Sequence, residues 1–156
     1  MADTIVVMNH GQIEQIGNPE KVYNDPVNAF VYSILGRVNE FRGESLLHEN
    51  GLTDEGVGFI RPHDIRLSRR LSAHSSPAEV VHIHAVGCAV RVELKRLDID
   101  GFFEAELSAE KYQEIGPLEK GELLYADFSK MNIFTENRQS EPEDVPNGIR
   151  SAIYNL

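Results

Sequence analysis

One cysteine, Cys88, is too few for an intrachain disulfide or a cysteine-rich zinc cluster, and it suits a reducing compartment. Positive charge is scarce as well. The 15 Lys and Arg stand against 25 Asp and Glu, and the formal net charge of −10 opposes general binding to nucleic acid or an anionic membrane surface. No apolar run approaches the ~20 residues that a membrane-spanning helix needs. The opening Met1-Ala2-Asp3 lacks the basic start and apolar core of a secretory signal. No G-x-x-x-x-G-K-[ST] phosphate loop occurs, since Gly-Lys is found nowhere, and there is no G-x-S-x-G turn for a nucleophile. The pattern around Cys88 places it mid-strand, with no evident base to activate it. No catalysis, metal or cofactor is expected of this chain by itself.

What remains is a chain of 156 residues, 41% apolar and 26% charged, which describes a soluble globular protein of one ordinary domain, or a small domain with an appendage. The apolar run Ile5-Val6-Val7-Met8 predicts a strand, and Asn9-His10-Gly11 supplies turn chemistry before a returning strand that ends at Gly17. Asn18-Pro19-Glu20 reads as a helix start, with Asn18 the N-cap and Pro19 the first helical residue. Asp25-Pro26 interrupts that helix. Val27, Phe30, Val31, Ile34 and Leu35 then fall on one face of a second helix closed by Gly36. A hairpin and two short helices cannot enclose a core, so this stripe is expected to serve as a packing or oligomer surface. The first 36 residues read as the end of a larger domain.

The run A-D-T-I-V-V-M-N-H-G-Q-I-E-Q-I-G-N-P-E-K-V-Y-N-D-P-V-N-A-F-V-Y-S-I-L-G-R-V-N resembles the last segment of an ABC-importer nucleotide-binding domain. The ending F-V-Y-S-I-L-G-R-V-N and the later R-P-H-D-I-R-L-S-R-R are most similar to ATP-binding subunits of sulfate/thiosulfate importers. The resemblance implies a parent subunit that uses ATP and magnesium. It also implies a homodimeric arrangement beside membrane-embedded permease subunits at the inner face of the cell membrane. The family's phosphate loop, signature loop, catalytic acid and switch histidine are not among these residues; His10 lies in the hairpin and is not that histidine.

Beyond Asn39 short strand candidates recur: around Phe41 and Leu46-Leu47, after the turn signal Asn50-Gly51, and at Val57–Ile60 and Ile65–Leu67. Leu71 to Pro77 reads as a serine-rich loop. Ala78–Val86 alternates, with Val81, Ile83 and Ala85 on one face and Val80, His82, His84 and Val86 on the other. Cys88–Arg96 places Val90, Val92 and Leu94 inward, and Phe103, Ala105 and Leu107 form the next alternating strand. Ser108 caps one helical turn up to Ile115, and strands at Glu122–Phe128 and Ile133-Phe134 follow. This is the grammar of a mainly β small barrel or sandwich, and the resemblance implies an OB-like (TOBE) barrel. The expected division is 1–36 as the remnant of the nucleotide-binding domain, 37–134 as the barrel, and 135–156 as an acidic, disordered tail.

Candidate contacts gather at the strand break Arg61-Pro62, where Pro62 removes a backbone donor and re-aims its neighbours. Arg61, His63, Asp64, Arg66, Arg69 and Arg70 make a basic island in an acidic protein, and the arginine fork suits oxyanions. The plainer alternative is a strand corner with an internal Arg61–Asp64 pair and solvated loop arginines. His82 and His84 share a strand face but lack a third ligand, so a solvated face is the simpler reading. Three functions are open: a regulatory, subunit-contacting segment of an ABC-importer ATPase; a free-standing sulfate or molybdate sensor; and an OB-type nucleic-acid binder. The S-x-R-N-like signature of molybdate-binding barrels is absent, and the charge opposes the third.

Overall fold

The computed structural model describes residues 3–43 and 56–135. The expected turn at Asn50-Gly51, the Leu46-Leu47 strand and the tail beyond Thr135 lie outside the described residues. The chain is mainly β.

Strands β1 (Ile5–Asn9) and β2 (Gln12–Gly17) form a two-stranded antiparallel sheet. His10 and Gly11 both take positive φ at the tip, 47° and 76°, as a tight primed turn requires. Helix α1 (Pro19–Asn24) starts where the Asn18 side chain accepts from the Glu20 N–H at 2.9 Å. Helix α2 (Ala29–Ile34) starts where Asn28 accepts from the Val31 N–H, also at 2.9 Å. The Gln15 side chain clips the intervening loop. It donates to the Asp25 carbonyl and accepts from the Val27 N–H, both at 3.0 Å.

The apolar stripe is shorter than its spacing predicts. Asn28 is the cap, so Val27 precedes the helix and is 59% exposed, and Ile34 in the last turn is 56% exposed. Val31 is wholly buried with Val7 and Val22, and Phe30 and Leu35 pack partly against them. The hairpin and the helix pair therefore bury one of the five stripe residues fully and cover two more in part.

A second sheet has the order β10–β4–β3, formed by Asn132–Thr135, Gly56–Ile60 and Asn39–Arg42. The third sheet has five strands in the order β5–β9–β6–β7–β8. These are Arg66–Ser68, Leu123–Asp127, Ser75–Val86, Ala89–Arg96 and Phe102–Ser108. Helix α3 (Ala109–Ile115) follows β8 directly, with the Ser108 side chain accepting from the Lys111 N–H at 3.3 Å. The five-stranded sheet surrounds a core of Val80, Val92, Leu94, Phe103, Ala105, Leu107, Leu124 and Phe128, covered by Phe41 and Ile60 from the other sheet. The Phe128 ring meets Phe103 and Phe41 edge-on, with centroids 5.0 and 5.2 Å apart.

Three local expectations are corrected. Ser75, Ser76 and Pro77 belong to β6 rather than to a loop, because they pair with Asp127, Ala126 and Tyr125 of β9. Here the tertiary ladder overrides weak local propensity. An irregularity in register between Val80 and His82 reverses the phase of β6, so Val80 and Ile83 both pack inward while His82 and His84 stay outside. Cys88 is not mid-strand; it sits with Gly87 in the exposed turn that joins β6 to β7.

Candidate functional site

The break at Arg61-Pro62 is where the chain leaves one sheet for another. β4 belongs to the three-stranded sheet and β5 to the five-stranded one, and Pro62–Asp64 forms a single 3₁₀ turn between them. The turn lies against β8. Proline suits its first position because no ladder partner is needed there.

Arg61 precedes that turn and is 3% exposed, an unusual burial for a charged side chain. Its guanidinium carbon lies 3.8 Å from the centroid of the Tyr23 ring and 4.5 Å from that of Tyr32. Nη2 also reaches the Tyr23 carbonyl at 3.5 Å. Tyr23 is on α1 and Tyr32 on α2, so one cation from the β region is held by two rings of the helix pair. Tyr32 continues inward, stacked on Phe59 of β4 at 5.8 Å and against Phe134 of β10 at 6.0 Å. Burial pushes its hydroxyl above the usual phenol range, and a hydrogen bond with the Asn132 side chain and the Arg61 charge offset part of that. Gly36 completes the pocket. Its φ of +152° favours glycine, and a Cβ there would stand 3.2 Å from Arg61 Nη1.

Arg61 is thus not an internal partner of Asp64. The Asp64 carboxylate has His63 Nε2 and Lys130 Nζ as neighbours, each at 3.8 Å, and its backbone N–H donates to the Arg61 carbonyl at 3.0 Å.

The other arginines lie in a different place. Arg66, Arg69 and Arg70 line one cavity of about 430 Å³ between β5, β8 and α3. Arg69 is a clamp. It donates to Glu122 Oε1 at 2.6 Å, to the Pro117 carbonyl at 2.9 Å and to the Ile115 carbonyl that ends α3. That arrangement satisfies an orphaned helix carbonyl. The Arg69 hydrogen bond, with the Glu119 backbone N–H, holds the Glu122 carboxyl below its usual range. Arg66 acts on Asp127, its register partner, through charge. Burial pushes the Asp127 carboxyl up, but the Ser129 hydrogen bonds and the Arg66 and His74 charges bring it net below the usual value. The six candidates therefore divide into a buried junction (Arg61), a turn with His63 exposed and Asp64 half-buried, and a cavity rim (Arg66, Arg69 and Arg70).

Sequence reasoning passed over Arg96, which is 1% exposed at the end of β7. It donates from Nε to Asp98 Oδ1 at 2.9 Å and from Nη2 to Oδ2 at 2.6 Å, and it reaches the Ser76 hydroxyl at 3.1 Å. The inward phase of Val90, Val92 and Leu94 extends to it, and that was the available signal. It also passed over Asn39. Its side-chain amide exchanges two hydrogen bonds of 2.8 Å with the Glu104 backbone, standing in for a strand on the outer edge of β8. No group of three or more His, Cys, Asp or Glu side chains among the described residues is arranged to hold a metal ion. No helix among them is long and apolar enough to cross a membrane.

Residues 72–128, which hold β6 to β9 with α3, match the family model of the TOBE-like domain. Over these residues the chain is similar to TOBE-like domains. Most of the chain is similar to the C-terminal part of sulfate/thiosulfate import ATP-binding proteins called CysA. It is 39% identical to that of Bacillus cereus over 149 residues, covering 86% of this chain and 42% of the relative. It is 35% identical to that of Ralstonia nicotianae over 162 residues, covering 90% and 43%. Against Pseudomonas syringae pv. tomato it is 42% identical over 125 residues, covering 80% and 35%. The chain thus spans less than half the length of each of these relatives, and the hairpin and helix pair lie outside the residues matched by the TOBE-like model.

Proposed function

We propose that the chain is the regulatory and subunit-contacting part of an ABC-importer ATP-binding subunit that serves sulfate or thiosulfate uptake. One observation carries this reading. Similarity to such subunits covers 86% of the chain, far more than the TOBE-like residues alone, and the Arg61–tyrosine junction joins the extra segment to the β region. A free sensor barrel would have no use for that coupling.

On this reading residues 1–36 complete a nucleotide-binding domain, residues 37–134 are the regulatory unit, and a second copy and the permease subunits are the partners. The subunit works as a peripheral protein at the inner face of the membrane. ATP and magnesium are held by the rest of the parent subunit. Phosphate-binding chemistry calls for a loop of backbone amides with a lysine, and this sequence contains no such loop. The chain therefore turns over no ATP.

Co-purification tests the proposal. The tagged chain is co-expressed with a sulfate importer's full ATP-binding subunit and permease pair. The expected result is association with the ATP-binding subunit and no ATPase activity of the chain alone. Tight sulfate or molybdate binding by the chain without any association would transfer the reading to the sensor.

A further inference from the structure

The geometry points to a binding site for a small organic anion, an apolar body carrying one oxyanion group, at the open seam between β5 and β8. These strands are the two edges of the five-stranded sheet, and neither has a further strand partner among the described residues. Toward the end of β8 the seam is bridged by α3, and the cavity of about 430 Å³ opens there. That volume lies in the lower part of the ~300–1,000 Å³ range of small-molecule sites.

The lining divides by chemistry. Ile65 and Leu107 are buried core residues, and with Leu67 and Ile115 they give the hollow an apolar floor. Around the mouth stand Arg66, Arg70 and Lys111, all exposed. Arg70 and Lys111 have no side-chain partner among the described residues, and Arg66 has only the charge of Asp127, its register partner on β9. Glu114 is the single carboxylate of the lining. Arg69 is not available, being committed to Glu122 and two backbone carbonyls. In a chain of net charge −10, the uncommitted Arg70 and Lys111, with Arg66 beside them, line one concave apolar surface. A bare inorganic oxyanion would use the cations and leave the floor to water, whereas an organic anion satisfies both. The site requires no particular parent subunit.

The test is a fluorescence titration of the full chain with 2-naphthalenesulfonate, compared with the uncharged naphthalene-2-sulfonamide and with inorganic sulfate. One saturable site per chain is expected, with amide shifts at Leu67, Leu107 and Ile115 in a parallel NMR titration. The sulfonamide should bind about tenfold or more weakly, since a charge-assisted hydrogen bond is lost. Sulfate should not compete in the same concentration range. Arg70→Glu and Lys111→Glu, both at exposed positions that leave the core intact, should each weaken the sulfonate by about tenfold. The assignment is overturned by an absence of saturation, by equal binding of the sulfonamide, or by equal competition from sulfate. It is overturned equally by indifference to both charge reversals, or by shifts confined to the β1–β2 hairpin.

Discussion

Arg61 and Tyr23, 38 positions apart in the chain, meet with the guanidinium carbon 3.8 Å from the ring centroid. Tyr32 lies at 4.5 Å from the same cation. The contact is the means by which a two-helix appendage is fixed to a β structure. Replacing Arg61 with Ala is expected to cost on the order of 2–4 kcal/mol, from lost stacking and the cavity left between the rings. Arg61→Lys should recover only part, because a lysine has no planar face to stack. Urea unfolding followed by circular dichroism reads both. An alanine variant as stable as the parent would mean that the appendage is held by the packing of Ala29 and Tyr32 on Phe59 and Phe134 without the cation.

The Arg96–Asp98 pair predicts acid sensitivity. Burial raises the Asp98 carboxyl, but the hydrogen bonds and charge of Arg96 outweigh it and leave it below the usual range. A carboxyl depressed in the folded state contributes stability fully above its unfolded value and loses it as pH falls through its folded value. Glu122 and Asp127, also held low, act in the same direction. Stability should therefore decline below the ordinary carboxylate range. Asp98→Asn should flatten that decline while costing about 3 kcal/mol at neutral pH, because Arg96 loses its charged partner in a buried setting. Denaturant midpoints at several pH values in both proteins would reveal a parallel decline if the pair were irrelevant.

Arg69 is predicted to secure the end of α3. Arg69→Ala removes donors from the Ile115 and Pro117 carbonyls and should cost about 1–2 kcal/mol. Amide exchange should speed up in Ala109–Ile115 and Glu119–Glu122 and stay unchanged in β7. Uniform acceleration across the chain would contradict a local clamp.

The hairpin carries the self-association prediction. Val6 is paired with Ile16 and Met8 with Ile13, and these four side chains are 49–57% exposed. Covering such side chains is worth ~1.5–3 kcal/mol each at full burial, so concentration-dependent dimers are expected in sedimentation. Ile13→Lys with Ile16→Lys should return the chain to monomer. These substitutions test the face better than removing residues 1–36, which would also strip Tyr23 and Tyr32 from Arg61. A monomer at high concentration would place the hairpin face outside any copy-to-copy contact.

Much of this structure is dictated locally and was legible in the sequence. Asn18 and Ser108 cap their helices because a short polar side chain reaches a free N–H a few residues ahead. Alternation told which way Val92, Leu94, Phe103, Ala105 and Leu107 face, because the strand period is two and one side of the sheet is buried. The resemblance in residues 2–39 and the arginine-rich stretch after Pro62 anticipated the relatives. What only the tertiary structure decided concerns residues whose chemistry contradicts their location. Arg61 and Arg96 are cations that propensity sends to water, and they are buried because partners replace the hydration they lose: two distant tyrosine rings for Arg61, and for Arg96 the nearby Asp98 together with a serine on another strand. The slip between Val80 and His82 lies in the pairing of β6 with β7, so no count along β6 alone reveals it. The stripe on α2 shows the same limit. Its spacing was visible, but which of its residues would be covered depended on where Val7 and Val22 came to lie, and contacts between elements are settled only when the chain packs.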